Sequence, residues 1–283
     1  MESIAMRKVG SRLHDGKFGP HRLRYQAQVD ETVVALEEGP GALAAEARIV
    51  SFSYTVLDQA PPNRPLLFAF NGGPGSASLW LHLGFLGPKR LADADSTTPR
   101  QVPPFRLVDN PDSPLDVADI VLIDPPGTGY SRVADEQCAH ECYGVDADAK
   151  AMLQFVSIWS RTHHREHSPK FLLGESDGGL RAAVMARLAA GGPLETGRVE
   201  TVALNGIILI GPALMEHGVS PEVRSVAALP SLAAAGHFHG RAGVGTSLTS
   251  HVAAARAFAE GPYLSALFRG TRLSGAEVDD LAG

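Results

Sequence analysis

The chain has 283 residues, 44% of them hydrophobic, and a formal net charge of −6. This is enough for one large domain or two small ones with a sizeable core. The acidic balance and the scatter of the basic residues argue against nucleic acid as a partner, since a nucleic-acid binder concentrates positive charge on one face.

The N-terminal stretch MESIAMRKVGSRLHDGKFG has no apolar core of signal-peptide length, and no segment is long enough to span a bilayer. Two cysteines, Cys138 and Cys142, make no disulfide framework. The expectation is a chain of a reducing, cytoplasmic compartment, with no membrane partner. His21 to Val29 and Ala47 to Leu57 alternate as half-buried strands. After the break PPNRP, Leu66 to Phe70 is a short apolar run ending at NGGPG, and Ile120 to Ile123 is another, ending at DPPGTG. Ala147 to Arg161 has helical spacing, with Met152, Phe155, Val156 and Trp159 on one side. Phe171 to Leu173 is a third buried run, Gly179 to Ala190 a second helix, and Val202 to Ile210 a fourth run, ending at GPALM. Buried runs ending in glycine-rich turns, with helices between them, predict a mostly parallel sheet with helices on both faces. Beyond Met215 the sequence turns Ala-, Gly- and His-rich and offers short helices and no further strand. The expected division is therefore 1–215 for the sheet and 216–283 for a helical region.

The stretch FLLGESDGGLR, Phe171 to Arg181, contains G-x-S-x-G. A strained strand-to-helix turn of this kind exposes a serine nucleophile and aims the helix N-terminus at a developing oxyanion. A plain strand-to-helix turn is the bland alternative. NGGPGSASLW, Asn71 to Trp80, also follows a buried strand, and its glycines allow backbone N–H groups to approach a substrate carbonyl. It lacks the lysine of a P-loop and the spacing of a dinucleotide fingerprint, so no nucleotide cofactor is expected.

These motifs, with NPDSPLDVADIVLIDPPGTGYS from Asn110 to Ser131, resemble the serine carboxypeptidase family over about residues 20 to 215, in the wording of its bacterial members. The resemblance implies the α/β-hydrolase fold. By it, Ser176 attacks the carbonyl of the last peptide bond, the amides of Gly73 and Asp177 hold the oxyanion, and Asn71 and Glu175 bind the substrate carboxylate. The implied substrate is a peptide or small ester, and no cofactor is implied. Asn71 could instead cap a turn, and Glu175 could pair with a buried arginine. Two departures bear on specificity and activity. Asp177 stands where the family usually has an aromatic residue, and Phe85 where several members carry a further glutamate.

In this fold the triad runs Ser, then Asp, then His along the chain. After Ser176 the sequence offers one strand and the helical tail. His217, His237, His239 and His251 follow no strand-like run, so none is assigned as the base. The expectation is a sequence that stops within the family's cap, with C-terminal strands and the triad Asp and His absent, and with little activity by itself. His163, Glu166 and His167 spell H-x-x-E-H, a zinc-protease pattern. They sit at a helix end, where basic side chains suit the dipole, and no third-ligand motif follows, so no metal is assigned. HFHG, His237 to Gly240, is likewise not assigned to metal. The reading is a serine-type carboxypeptidase. An esterase or acyltransferase of the same fold, or a catalytically silent interaction protein, is the alternative.

Overall fold

Short apolar runs become the middle of a sheet in the computed structural model, which describes residues 6–36, 45–58, 64–92, 103, 105–134, 144–192, 202–214 and 219–282. Three long N-terminal strands, β1 (Met6–Phe18), β2 (His21–Leu36) and β3 (Ala45–Val56), form an antiparallel meander. β4 is Leu66–Phe70, and a small separate ribbon pairs β5 (Lys89–Leu91) with β6 (Leu107–Asp109). β7 (Asp119–Ile123) lies antiparallel to β3, and the two-residue β8 (Arg132–Val133) also pairs with β3. From β7 the sheet continues in parallel through β4, β9 (Lys170–Glu175) and β10 (Gly206–Ile210). The order is β1-β2-β3-β7-β4-β9-β10.

Every residue of β4 and β7 is buried, as a sheet covered on both faces requires. Leu66, Phe68, Phe70, Val121 and Ile123 pack under helices α2 (Val145–Thr162) and α3 (Asp177–Gly191), against Phe155, Val156, Trp159 and Met185. Leu67, Ala69, Ile120 and Leu122 face the other way. They are covered by Leu81 and Leu86, from α1 (Leu79–Leu81) and the π turn His82–Leu86 that continues it, and by Leu115. Each buried Leu, Ile, Val or Phe among them contributes about 1.5–3 kcal/mol on burial. At the base of β7, buried Asp119 accepts from Arg64 Nε at 2.8 Å, Arg165 Nη1 at 2.6 Å and Val56 N at 2.9 Å, which ties β3, β7 and the approach to β9 together.

The chain divides into two compact units, Met1–Leu214 and Met215–Gly283. The second contains α4 (Pro221–Phe238), α5 (Leu248–Phe258), α6 (Leu264–Arg269) and α7 (Gly275–Ala282). Ser220 and Ser247 cap α4 and α5 by accepting from Val223 N and Ser250 N. Among the described residues no helix is long and apolar enough to cross a membrane.

The structure extends the sequence reading at the edges. β1 was not expected, because eleven of its thirteen residues are exposed or half-buried and it shows no apolar alternation. β2 runs on to Leu36 in register with β3. The run from Val202 is strand only from Gly206, and β10 lies at one end of the sheet with Ile207 and Ile208 exposed.

Candidate active site

β9 and α3 meet at Ser176, the N-cap residue of α3, with φ 57° and ψ −124°. A non-glycine residue in that region costs about 1–3 kcal/mol and persists where its surroundings over-determine it. Here Ser176 N donates to Ile210 O at 2.8 Å, while its carbonyl accepts from Gly179 N at 2.9 Å and Ala213 N at 3.0 Å. The end of β10 and the turn after it therefore hold the elbow from one side. On the other side the first turn of α3 lies against the end of β4. A Cβ at Gly178 would come within 2.9 Å of Phe70 O and 3.1 Å of Asn71 O, so the position takes no side chain.

β4 delivers Asn71, which is fully buried. Its Oδ1 accepts from Leu81 N at 3.1 Å, which turns its Nδ2 toward Glu175, where it donates to Oε2 at 2.9 Å. Asn71 thus caps the start of α1 and also meets Glu175. The buried arginine nearby, Arg181, pairs with Asp148 of α2 and leaves Glu175 to Asn71. Burial pushes the Asp148 carboxyl up, Arg181 pulls it back, and Asp177 raises it further. Gly72 follows, and a Cβ there would lie 2.4 Å from both Asp177 N and Gly178 N. The loop thus rests directly on first-turn amides of α3, where a helix has unpaired donors and the positive end of its dipole. Gly73 comes next, exposed and at φ 119°. Asn71, Gly73, Glu175, Ser176 and Asp177 are in this way gathered at adjoining ends of β4 and β9. Phe85 is exposed in the π turn, and its carbonyl accepts from Asn110 Nδ2 at 2.8 Å.

Several residues that hold this arrangement carry no assignment from the sequence. Buried Asp124 accepts from Ser78 N at 3.0 Å and Tyr130 N at 3.1 Å, binding the NGGPGSAS and DPPGTGYS loops together. Ser78 Oγ donates to Ile123 O and accepts from Asn71 N at 3.3 Å. The signal available was the Asp-Pro pair closing an apolar strand, which places a carboxylate at the same sheet end as the glycine loops. His82, at the start of the π turn, has its Nε2 2.5 Å from the Tyr54 hydroxyl on β3, and burial lowers its pKa to about 4. Neither position carries a motif. Leu79, Trp80 and Tyr130 in these loops expose large apolar surface.

The H-x-x-E-H run leaves the helix, because α2 ends at Thr162. His163 instead stacks on Trp159 at 4.0 Å between centroids, with Nδ1 2.9 Å from Trp159 O and Nε2 3.7 Å from Asp30. Burial lowers the pKa of His163 and raises that of Asp30. Glu166 and His167 are exposed. No group of three or more metal-binding side chains occurs among the described residues. His237, His239 and His251 lie in the second unit, where His237 and His251 stand 5.7 Å apart between ring centroids. His217, Cys138 and Cys142 fall outside the described residues.

A family model described as serine carboxypeptidase matches residues 44–228, more than half of the chain and all of the loops around Ser176. A prohormone-processing carboxypeptidase of Saccharomyces cerevisiae is similar in structure, with a TM-score of 0.54 at 18% identity. The match covers 85% of this chain and 48% of that one, so the chain spans about half that protein's length. Similarity is lower to a peroxisomal α/β-hydrolase of the same yeast (TM-score 0.37, 12% identity, 80% and 52% covered) and to an esterase of Pyrobaculum calidifontis (0.36, 16%, 86% and 62%). No curated protein matches the sequence. The fold is that of the α/β-hydrolases, and with the family model spanning every loop of the site, the chain belongs to the serine carboxypeptidase family.

Proposed function

We propose that residues 6–214 provide the nucleophile and recognition half of a serine-type carboxypeptidase. Ser176 Oγ attacks the carbonyl of the last peptide bond and passes its proton to a general base. The tetrahedral oxyanion is held by Gly73 N–H and Asp177 N–H. Collapse expels the C-terminal residue as an amine, which takes a proton from the conjugate acid, and leaves an ester on Ser176 that water hydrolyses. Among the described residues 6–214 no histidine is hydrogen-bonded to Ser176, so the base and its acid are not assigned within this unit.

What supports a carboxypeptidase over another acyl-transfer enzyme is the Asn71–Glu175 hydrogen bond at 2.9 Å, one residue from the nucleophile. Asn71 has a second Nδ2 proton for a substrate carboxylate. A glutamate and a substrate carboxylate share a site when one proton lies between them, so recognition is favoured in acid. The side chain of Asp177 brings negative charge near the oxyanion and opposes the attack.

The test compares hydrolysis of one peptide with a free C-terminus and the same peptide amidated, from acid to neutral pH. The free peptide is expected to be preferred, most strongly in acid. Glu175→Gln should keep that preference and lose its pH dependence, because an amide donates at every pH. Measurable and equal rates on both peptides throughout would reject the carboxylate pair and favour an esterase.

A further inference from the structure

Asn71 carries four hydrogen bonds, and they divide by what they connect. Ser78 Oγ and Leu81 N belong to the stretch of chain that directly follows Asn71. Glu175 Oε2 is the partner used in recognition. The fourth is Arg181 Nη1, which donates to Asn71 O at 3.0 Å from the second turn of α3, the helix that Ser176 caps. Arg181 is 7% exposed, its Nε donates to Asp148 Oδ2 on α2, and its guanidinium lies 5.3 Å from the centre of the Phe70 ring. A carboxylate, a carbonyl and an aromatic ring thus fix one planar group, and two of the three contacts are to Phe70, which ends β4, and Asn71, which follows it.

We propose that Arg181 is the positioning residue of the carboxylate-binding pair: it sets where Asn71 stands relative to the nucleophile helix, with Asp148 holding the guanidinium in orientation. This rests on the reading of Asn71 and Glu175 as that pair. Gly178, one turn before Arg181, allows the close approach of α3 to Phe70 and Asn71, and Arg181 fastens it. Lysine cannot substitute, because a single ammonium that pairs with Asp148 lacks the rigid fork that reaches Asn71 O at the same time. The competing role is a structural staple between α2 and α3, the ordinary use of a buried ion pair.

The two roles separate in the side-chain amide of Asn71. Nitrogen-15 NMR of the full chain, with that amide assigned by its disappearance in Asn71→Asp, is compared for wild type, Arg181→Met, Arg181→Lys and Asp148→Asn. A positioning role predicts that Arg181→Lys stays folded, with the sheet amides of β9 and β10 unmoved. The Asn71 side-chain protons should then shift and exchange about tenfold faster, the size of one lost hydrogen bond to a charged group. Arg181→Met should show the same change, and Asp148→Asn a smaller one. An unchanged Asn71 amide in folded Arg181→Lys overturns the proposal. So does a change that spreads evenly over α2, α3 and the sheet. If Arg181→Met fails to fold, Arg181→Lys decides alone. Adding N-acetyl-leucine or its amide tests the underlying reading separately. A wild-type Asn71 resonance that ignores the free carboxylate rejects the recognition role, whereas the comparison of variants without ligand still judges Arg181.

Discussion

Replacing Asp124 by alanine should loosen the two loops beside Ser176 and destabilise the first unit. The carboxylate is 3% exposed and each oxygen serves one backbone amide, Ser78 N at 3.0 Å and Tyr130 N at 3.1 Å. Each orphaned buried amide costs about 1–3 kcal/mol. The Tyr130 amide is only partly buried and water can serve it, which places its cost at the low end. Relief of the carboxylate's own desolvation offsets a further part. A net loss of about 2–3 kcal/mol is expected, which at roughly 2–4 °C per kcal/mol lowers the melting temperature by about 4–12 °C. Asp124→Asn keeps one acceptor and turns an NH2 group toward the other amide, so it should lose about half as much. Thermal unfolding by circular dichroism gives the magnitude, and hydrogen exchange at Ser78 and Tyr130 gives the place. Unchanged melting in Asp124→Ala, with both amides still protected, would refute the assignment of Asp124 as the tie between the loops.

Three further outcomes are expected. His82 is held near pKa 4 by burial, below its unfolded value, so its contribution to stability is complete above about pH 6.5 and is lost as the pH falls toward 4. His82→Gln should therefore flatten urea-unfolding stability across that window, and an unaltered pH profile would count against it. Gly72→Ala drives a methyl into the Asp177 and Gly178 amides and should cost about 1–3 kcal/mol in denaturant unfolding, whereas a neutral effect would mean the loop does not rest on α3. Ile208→Lys places a charge on the exposed apolar edge of β10 and should reduce concentration-dependent association in sedimentation. Equal association in both proteins would remove the edge as its cause.

The parallel half of the sheet was legible because β4, β7 and β9 each carry a short apolar run, Leu66–Phe70, Ile120–Ile123 and Phe171–Leu173, that leads into a turn containing glycine. The helix spacing of Met152, Phe155, Val156 and Trp159 likewise matched one buried face of α2. β1 was illegible for the opposite reason: an exposed edge strand has no apolar face to write into its sequence. At the site, motifs pointed to Ser176 and Asn71, which the structure brings to adjoining ends of β9 and β4. Arg181, Asp148, Asp124 and His82 each act through at least one partner between 28 and 110 positions away, and a lone polar residue in a helix or turn gives no sign of such a partner. The H-x-x-E-H run shows the converse, since its spacing has metal-binding meaning on a helix and α2 stops before it.

The most direct measurement is covalent labelling of Ser176 by a pair of peptidyl phosphonate probes, identical except that one ends in a free carboxylate and the other in its methyl ester. The relative rates are followed by mass spectrometry from acid to neutral pH. A Ser176 that is the nucleophile beside a carboxylate-binding Asn71–Glu175 pair is modified faster by the free-carboxylate probe, with the advantage growing in acid and disappearing in Asn71→Ala, and Ser176→Ala takes no label. Equal rates for the two probes at every pH, or label carried by another residue, would contradict it.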